Sequence, residues 1–165
     1  MSAPTPIFRA DGEGERLGFA GGGVHTWKAT SGETGGAFLL FEDATTHGKM
    51  TPLHRHPEAD ETLYVLDGEL LVHIGGEEHR VGPGGFTMAP RGVPHAFTVL
   101  SETARMLCLH TPGTAELFFK DASEPASTDA YDSGPVDFDR VRASAERSGV
   151  VEILGPPPFA PPPAP

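Results

Sequence analysis

The chain has 165 residues, enough for one domain with a sizeable core. Its 12 Lys and Arg against 23 Asp and Glu leave a net charge of −11, which argues against nucleic acid or an anionic membrane surface as a partner, since both are bound through basic patches. The 21 Gly and 17 Pro are high for a helical protein and favour short strands joined by tight turns.

No apolar run is long enough to span a bilayer, and the opening MSAPTPIFRADGEGER lacks the apolar centre of a signal peptide. A reduced, cytoplasmic setting is therefore expected. The single cysteine, Cys108, excludes an internal disulfide. Within RMLCLH it reads as a buried small hydrophobe, because no neighbour in sequence looks like an activating base.

Taken in order, residues 1–20 mix Pro, Gly and charge and read as an N-terminal arm. VHTWKAT is a short strand between Gly-rich turns, and AFLLFEDAT (37–45) a stronger one whose apolar start suggests burial on both faces. TLYVL and ELLVHI flank Asp67-Gly68, a favoured hairpin dipeptide. Gly75–Glu78 is the next turn and HRV (79–81) a short strand. HAFTV and ARMLCLH (104–110) follow. Strands recurring about every 8–12 residues indicate a sandwich or barrel, so residues 21–112 read as one β domain. Beyond it, residues 113–155 read as a helical extension. Thr114 can cap a short helix carrying Leu117 and Phe118. An acidic linker, DASEPASTDAYDSG, follows, and residues 137–148 place Phe138, Val141 and Ala145 on one helical face before Gly149. Residues 156–165 form a proline-rich tail.

The chemistry concentrates in GKMTPLHRHPEADETLYVLDG, residues 48–68. His54 and His56 are two apart, so in an extended chain they point to one side. Glu61 opens the next apolar run and can enter the same interior from an adjacent strand. Two imidazoles and a carboxylate can hold a first-row divalent metal. His95, at the start of HAFTV, gains weight beside them, because three histidines and one carboxylate form a recurrent metal shell. Without a metal, such a set would cluster costly polar groups in an apolar interior. His25, His47 and His79 lie near turns or strand ends and are expected to be exposed, while His73 can face either side. His110 reaches the interior if Met106, Cys108 and His110 point inward, and is a surface residue if Leu107 and Leu109 do. Strand parity does not choose between these.

Gly48, His54, His56, Glu61 and Gly68 match G-x5-H-x-H-x4-E-x6-G, and Gly84, Pro90, Gly92 and His95 match G-x5-P-x-G-x2-H. These two motifs, in this order, resemble those of the cupin superfamily. With TGGAFLLFE before them and HTPGTAELFFKDASEPA after, the chain is similar over about residues 15–160 to small bacterial single-domain cupins related to quercetin 2,3-dioxygenase. The resemblance implies an all-β double-stranded β-helix, the jelly-roll or cupin barrel, with a short C-terminal helical extension. It also implies His54, His56, Glu61 and His95 as ligands of one metal. The family's second motif usually ends in Asn where this chain has Val99, which implies a more apolar cavity floor.

The ligand set suits Fe, Ni, Mn, Co, Cu or Zn without choosing among them. Resemblance to quercetinase implies a metal-dependent dioxygenase acting on a flavonol-like, enol or hydroxy-carbonyl substrate, with Glu61 as the proton acceptor. Leu63 and Val65 share Glu61's parity, and Phe97 and Val99 share that of His95, so these four are expected to wall the substrate pocket. Two other readings stand beside it: a metal-dependent cyclase, isomerase or lyase that uses no oxygen, and a non-catalytic cupin that binds a small molecule. A homodimer is expected, since open sheet edges need cover.

Overall fold

The computed structural model describes residues 4–20, 22–126 and 134–160. Parts of three expected segments therefore lie outside the described residues: 1–3 of the arm, 127–133 of the acidic linker, and 161–165 of the proline-rich tail. In chain order the strands are β1 (Arg16–Phe19), β2 (Val24–Ala29), β3 (Leu39–Thr46), β4 (Leu53–Arg55), β5 (Asp60–Asp67), β6 (Leu70–Ile74), β7 (Glu77–Val81), β8 (Phe86–Ala89), β9 (His95–Val99) and β10 (Thr103–Thr111). The helix α1 (Glu116–Asp121), strand β11 (Ser123–Pro125), helix α2 (Phe138–Ser148) and strand β12 (Glu152–Gly155) complete the fold.

The strands form two antiparallel sheets, ordered β11-β1-β2-β3-β10-β5-β8 and β12-β4-β9-β6-β7. This corrects the expected closed barrel. The larger sheet ends at β11 and β8 and the smaller at β12 and β7, so the sheets face one another without joining. The chain passes between them through turns rather than hydrogen-bonded ladders. Asp67-Gly68 shows the reason. It was expected to close a hairpin, yet β5 pairs with β10 and β8 while β6 pairs with β9 and β7. Gly68 carries the crossing: its φ is 82°, and a Cβ there would lie 2.3 Å from the Thr103 carbonyl oxygen. Gly75-Gly76, by contrast, closes a two-residue hairpin, with Ile74 opposite Glu77.

Arg16–Phe19 falls inside the segment read as an arm, but as β1 it pairs with β2 and with β11 and buries Leu17 and Phe19. Burial of β3 on both faces is also corrected. Leu39, Phe41, Asp43 and Thr45 are buried while the residues between them are partly exposed, as in an antiparallel sheet with one face on the core. The core fills the space between the sheets, where Phe41, Leu63, Met106 and Cys108 meet Leu70, Val72, Phe97 and Val99.

Helix α2 starts at Asp137, whose side chain accepts the Arg140 backbone N–H at 3.0 Å, and stops at the left-handed Gly149. It buries Val141 and Ala145, together with Ser144, whose hydroxyl donates to the Phe118 carbonyl of α1 at 2.9 Å. The expected cap at Thr114 does not form: Ala115 holds that place, with no side-chain bond. Strand β12 then pairs with β4, placing Ile153 opposite His54, so the C-terminal segment supports the strand that carries the site. No helix among the described residues is long and apolar enough to cross a membrane.

Candidate metal centre

Two cross-strand pairs build the centre. Strands β4 and β9 set His54 opposite His95, and strands β5 and β10 set Glu61 opposite His110. One pair belongs to each sheet, and both point into the interior. His56, just beyond β4, shares the inward side of His54 through the alternation of an extended chain. All five side chains are buried. Glu61 therefore does not enter from a strand paired with β4, as its place in the sequence suggested, but from the facing sheet.

The Nε2 atoms of His56, His95 and His54 lie 2.9, 3.4 and 3.9 Å from Glu61 Oε2. The donor atoms of the four residues all lie within 4.8 Å of one another. His54 Nδ1 is 2.8 Å from the Pro52 carbonyl oxygen, and His95 Nδ1 is 2.8 Å from that of Val93. An Nδ1–H donated to each carbonyl leaves the Nε2 lone pair facing Glu61, the arrangement that orients an imidazole toward a cation. His56 Nε2 and His95 Nε2 have no hydrogen-bond partner among the described residues, because their approach to Glu61 is close but not aligned for one. Lone pairs crowded around a buried carboxylate are costly unless a cation sits among them. This cluster is thus capable of coordinating a divalent metal, and its mixed N/O donors fit the first-row ions.

The electrostatics agree. Burial alone would raise the Glu61 carboxyl, but His95, His54 and His56 outweigh it and hold Glu61 well below the usual carboxylate range. Burial would likewise lower His95, yet the Glu61 charge more than compensates and raises it. Burial, then the charge of His95, lowers His54.

The structure settles the parity of β10. Met106, Cys108 and His110 are its inward face, and His110 is fully buried. His110 Nε2 lies 3.3 Å from Glu61 Oε2 and 3.4 Å from Cys108 Sγ. Burial depresses His110 to about 3, so its ring is neutral near pH 7. Burial, then the charge of Glu61, pushes the Cys108 thiol well up, which keeps it protonated and un-nucleophilic. His73 lies on the outer side of β6, half-buried, near Glu78.

Of the four expected wall residues, Leu63 and Phe97 line a small cavity beside Glu61 and His95. Val65 and Val99 are buried in the core and border neither that space nor the larger one. The larger cavity, about 60 Å³, reaches from His54 and Glu61 past Phe97 and Cys108 to Asp43 and Lys49. Phe118, Val141 and Ile153 of the C-terminal segment also line it. His25 also borders it, and here the expectation of an exposed residue is overturned. His25 is buried between Phe19 and Phe41, with ring centroids 4.8 and 4.1 Å away, because β2 lies inside the sheet and its alternation turns His25 toward Asp43. Sequence reasoning missed Lys49 and Asp43 altogether. The inward parity of Asp43 on β3 was the one available sign.

Comparison with known proteins agrees with this geometry. Residues 44–110 match the cupin domain family. The chain is 28% identical over 144 residues to quercetin 2,3-dioxygenase from Bacillus subtilis (strain 168), covering 86% of this chain and 42% of that protein, so it spans less than half the relative's length. Similar solved structures include KdgF from a Halomonas species, with a TM-score of 0.60 and 22% identity over 66% of this chain and 94% of that one. They also include the polyketide cyclase RemF from Streptomyces resistomycificus, with a TM-score of 0.50 and 26% identity over 65% of this chain and 78% of that one. Residues 44–110 therefore resemble a cupin domain, and the chain as a whole is similar to a quercetin 2,3-dioxygenase.

Proposed function

We propose that this protein is a metal-dependent cupin enzyme, with His54, His56, His95 and Glu61 as the residues that hold the ion. The observation that carries the reading is the convergence of three imidazole Nε2 atoms on one buried Glu61 oxygen. A divalent ion held there would supply Lewis acidity, lowering the pKa of a hydroxyl bound to it. Glu61, kept ionised by the surrounding histidines, accepts the proton of that hydroxyl. It is a weak base, so the transfer depends on the hydroxyl being acidified. His110, neutral and with its Nε2 3.3 Å from Glu61 Oε2, packs against that oxygen and holds it in position. Leu63 and Phe97 exclude water from the reacting atoms.

The reaction we favour is dioxygenation of an enol or hydroxy-carbonyl compound, with dioxygen as co-substrate and carbon–carbon cleavage as the outcome. It is supported by the likeness to quercetin 2,3-dioxygenase. The cavity selects within that class. At about 60 Å³ it is far smaller than the roughly 300–1,000 Å³ pockets that bury drug-sized ligands. A three-ring flavonol enters only if Val141 of α2 and Ile153 of β12 move aside, whereas a small enol or hydroxy-carbonyl compound needs less movement.

Elemental analysis of the purified protein, followed by oxygen uptake with a panel running from small hydroxy-carbonyl compounds to flavonols, tests this reading. Metal in the protein and oxygen uptake with turnover are expected. The likeness to a polyketide cyclase supports a second reading, cyclisation, isomerisation or elimination without oxygen. Equal turnover under strict anaerobiosis selects it, and intact recovery of a bound compound selects a binding protein.

A further inference from the structure

Opposite the metal centre, the same cavity holds a second buried polar group that the proposed chemistry does not use. Lys49 is 8% exposed, and its ammonium donates to Asp43 Oδ2 at 2.6 Å. No described atom accepts its two remaining N–H groups. Asp43 Oδ1 has no hydrogen-bond partner among the described residues. A buried ammonium strongly favours full hydrogen bonding, and one carboxylate oxygen does not provide it. Lys49 stands 5.7 Å from the centre of the Phe97 ring, which borders the cavity shared with His54 and Glu61. Burial of its stem and the Val99 N–H bond to its backbone carbonyl hold it in place.

Charge indicates what belongs there. With a divalent ion at the centre, Asp43 offsets Lys49 and Glu61 offsets one of the ion's two charges, so the cavity as a whole keeps one net positive charge. A monoanion restores neutrality in this closed space, and a neutral ligand does not. The volume, about 60 Å³, limits that anion to a few heavy atoms unless Val141 and Ile153 move aside.

We propose that Lys49 is the anion-recognition residue of this cavity, and that the ligand class is a small hydroxy- or enol-bearing carboxylate. Its carboxylate meets the two free N–H groups of Lys49 and its second oxygen faces the His54–His56–Glu61–His95 cluster. The second contact and the charge balance rest on the metal reading above, and the hydrogen bonds to Lys49 do not. Asp43 is the positioning residue that keeps the ammonium aimed into the cavity.

The test compares glycolate with glycolamide, its neutral counterpart, by calorimetric titration of the full chain as purified, after chelator treatment, and as the double variant Lys49→Met/Asp43→Asn. That variant removes both charges together, so no unpaired ion is left buried. The expected result is tighter binding of glycolate than of glycolamide by about tenfold or more, as for a charge-assisted hydrogen bond in a closed site. The preference persists in weaker form after chelation and disappears in the double variant. Equal binding of the two probes by the wild-type chain, or a preference that survives the double substitution, overturns the proposal. Absence of metal from a chain that still prefers glycolate through Lys49 overturns the metal reading alone.

Discussion

Glu61 and His110 are direct cross-strand partners on β5 and β10, and their side chains meet at 3.3 Å in the interior, on the side opposite His54 and His95. The neutral His110 ring packs against the Glu61 oxygen that faces the three ligand imidazoles, with Nε2 also 3.4 Å from Cys108 Sγ. Such outer partners tune metal affinity by about 10–100-fold. His110→Leu should therefore weaken divalent-ion binding by about that factor, in competition against a chromophoric chelator, while the four ligand residues remain. His110→Gln, which keeps an N–H of similar reach, should recover much of the loss. Unchanged affinity in the leucine variant would show that His110 is only core filling.

Removal of the ion should cost stability. Without it, His56 Nε2 and His95 Nε2 remain buried around Glu61 with no hydrogen-bond partner among the described residues. An ion present at a hundred times its dissociation constant stabilises the folded state by about 2.7 kcal/mol. Thermal denaturation before and after chelation, and again after the ion is restored, should show a midpoint that falls and returns. Glu61→Gln should abolish the ion's effect on the midpoint.

The Asp43–Lys49 pair gives an acid dependence with a defined sign. Burial opposes ionisation of Asp43, but Lys49 and His25 prevail and hold it down at about 2, against an ordinary 3.8. A carboxyl depressed in the folded state contributes stability above its unfolded pKa, and that contribution is lost as pH falls through the folded value. The window is therefore about pH 4 to 2, and the loss is on the order of 2 kcal/mol. Denaturant titrations from pH 6 downward should show this loss in the wild type and not in Lys49→Met/Asp43→Asn. Parallel decline of both proteins through that window would remove Asp43 as its cause.

Gly23 backs the same pair. Its φ is 144°, and a Cβ would lie 2.7 Å from Asp43 Oδ1 and 2.9 Å from Lys49 Nζ. Gly23→Ala should thus destabilise the fold by about 1–3 kcal/mol through backbone strain alone, with displacement of the ion pair adding to it. A denaturant midpoint equal to that of the wild type would mean that β2 shifts freely, and would place Asp43 and Lys49 in a softer region than the structure indicates.

The chain's local patterns carried the ligand set, because the information involved is local. Strand alternation puts His54 and His56 on one side whatever the rest of the chain does, and the spacing on to Glu61, with the second motif ending at His95, brought the resemblance that joined all four. The helix at 138–148 was legible for the same reason, from an apolar face between Asp137 and Gly149. Sheet membership was not legible. Asp67-Gly68 has the chemistry of a hairpin turn, and nothing within a few residues reveals that β5 and β6 part there to join different sheets. That separation left the sheets open instead of closing them, and put Glu61 across from His54 rather than beside it. The inward turn of His110, the burial of His25 and the meeting of Lys49 with Asp43 depend on pairings or packing between segments distant in sequence. A buried charge or imidazole is tolerable only with its partner in place, and that partner is supplied by tertiary contact, which alternation along a single strand does not encode.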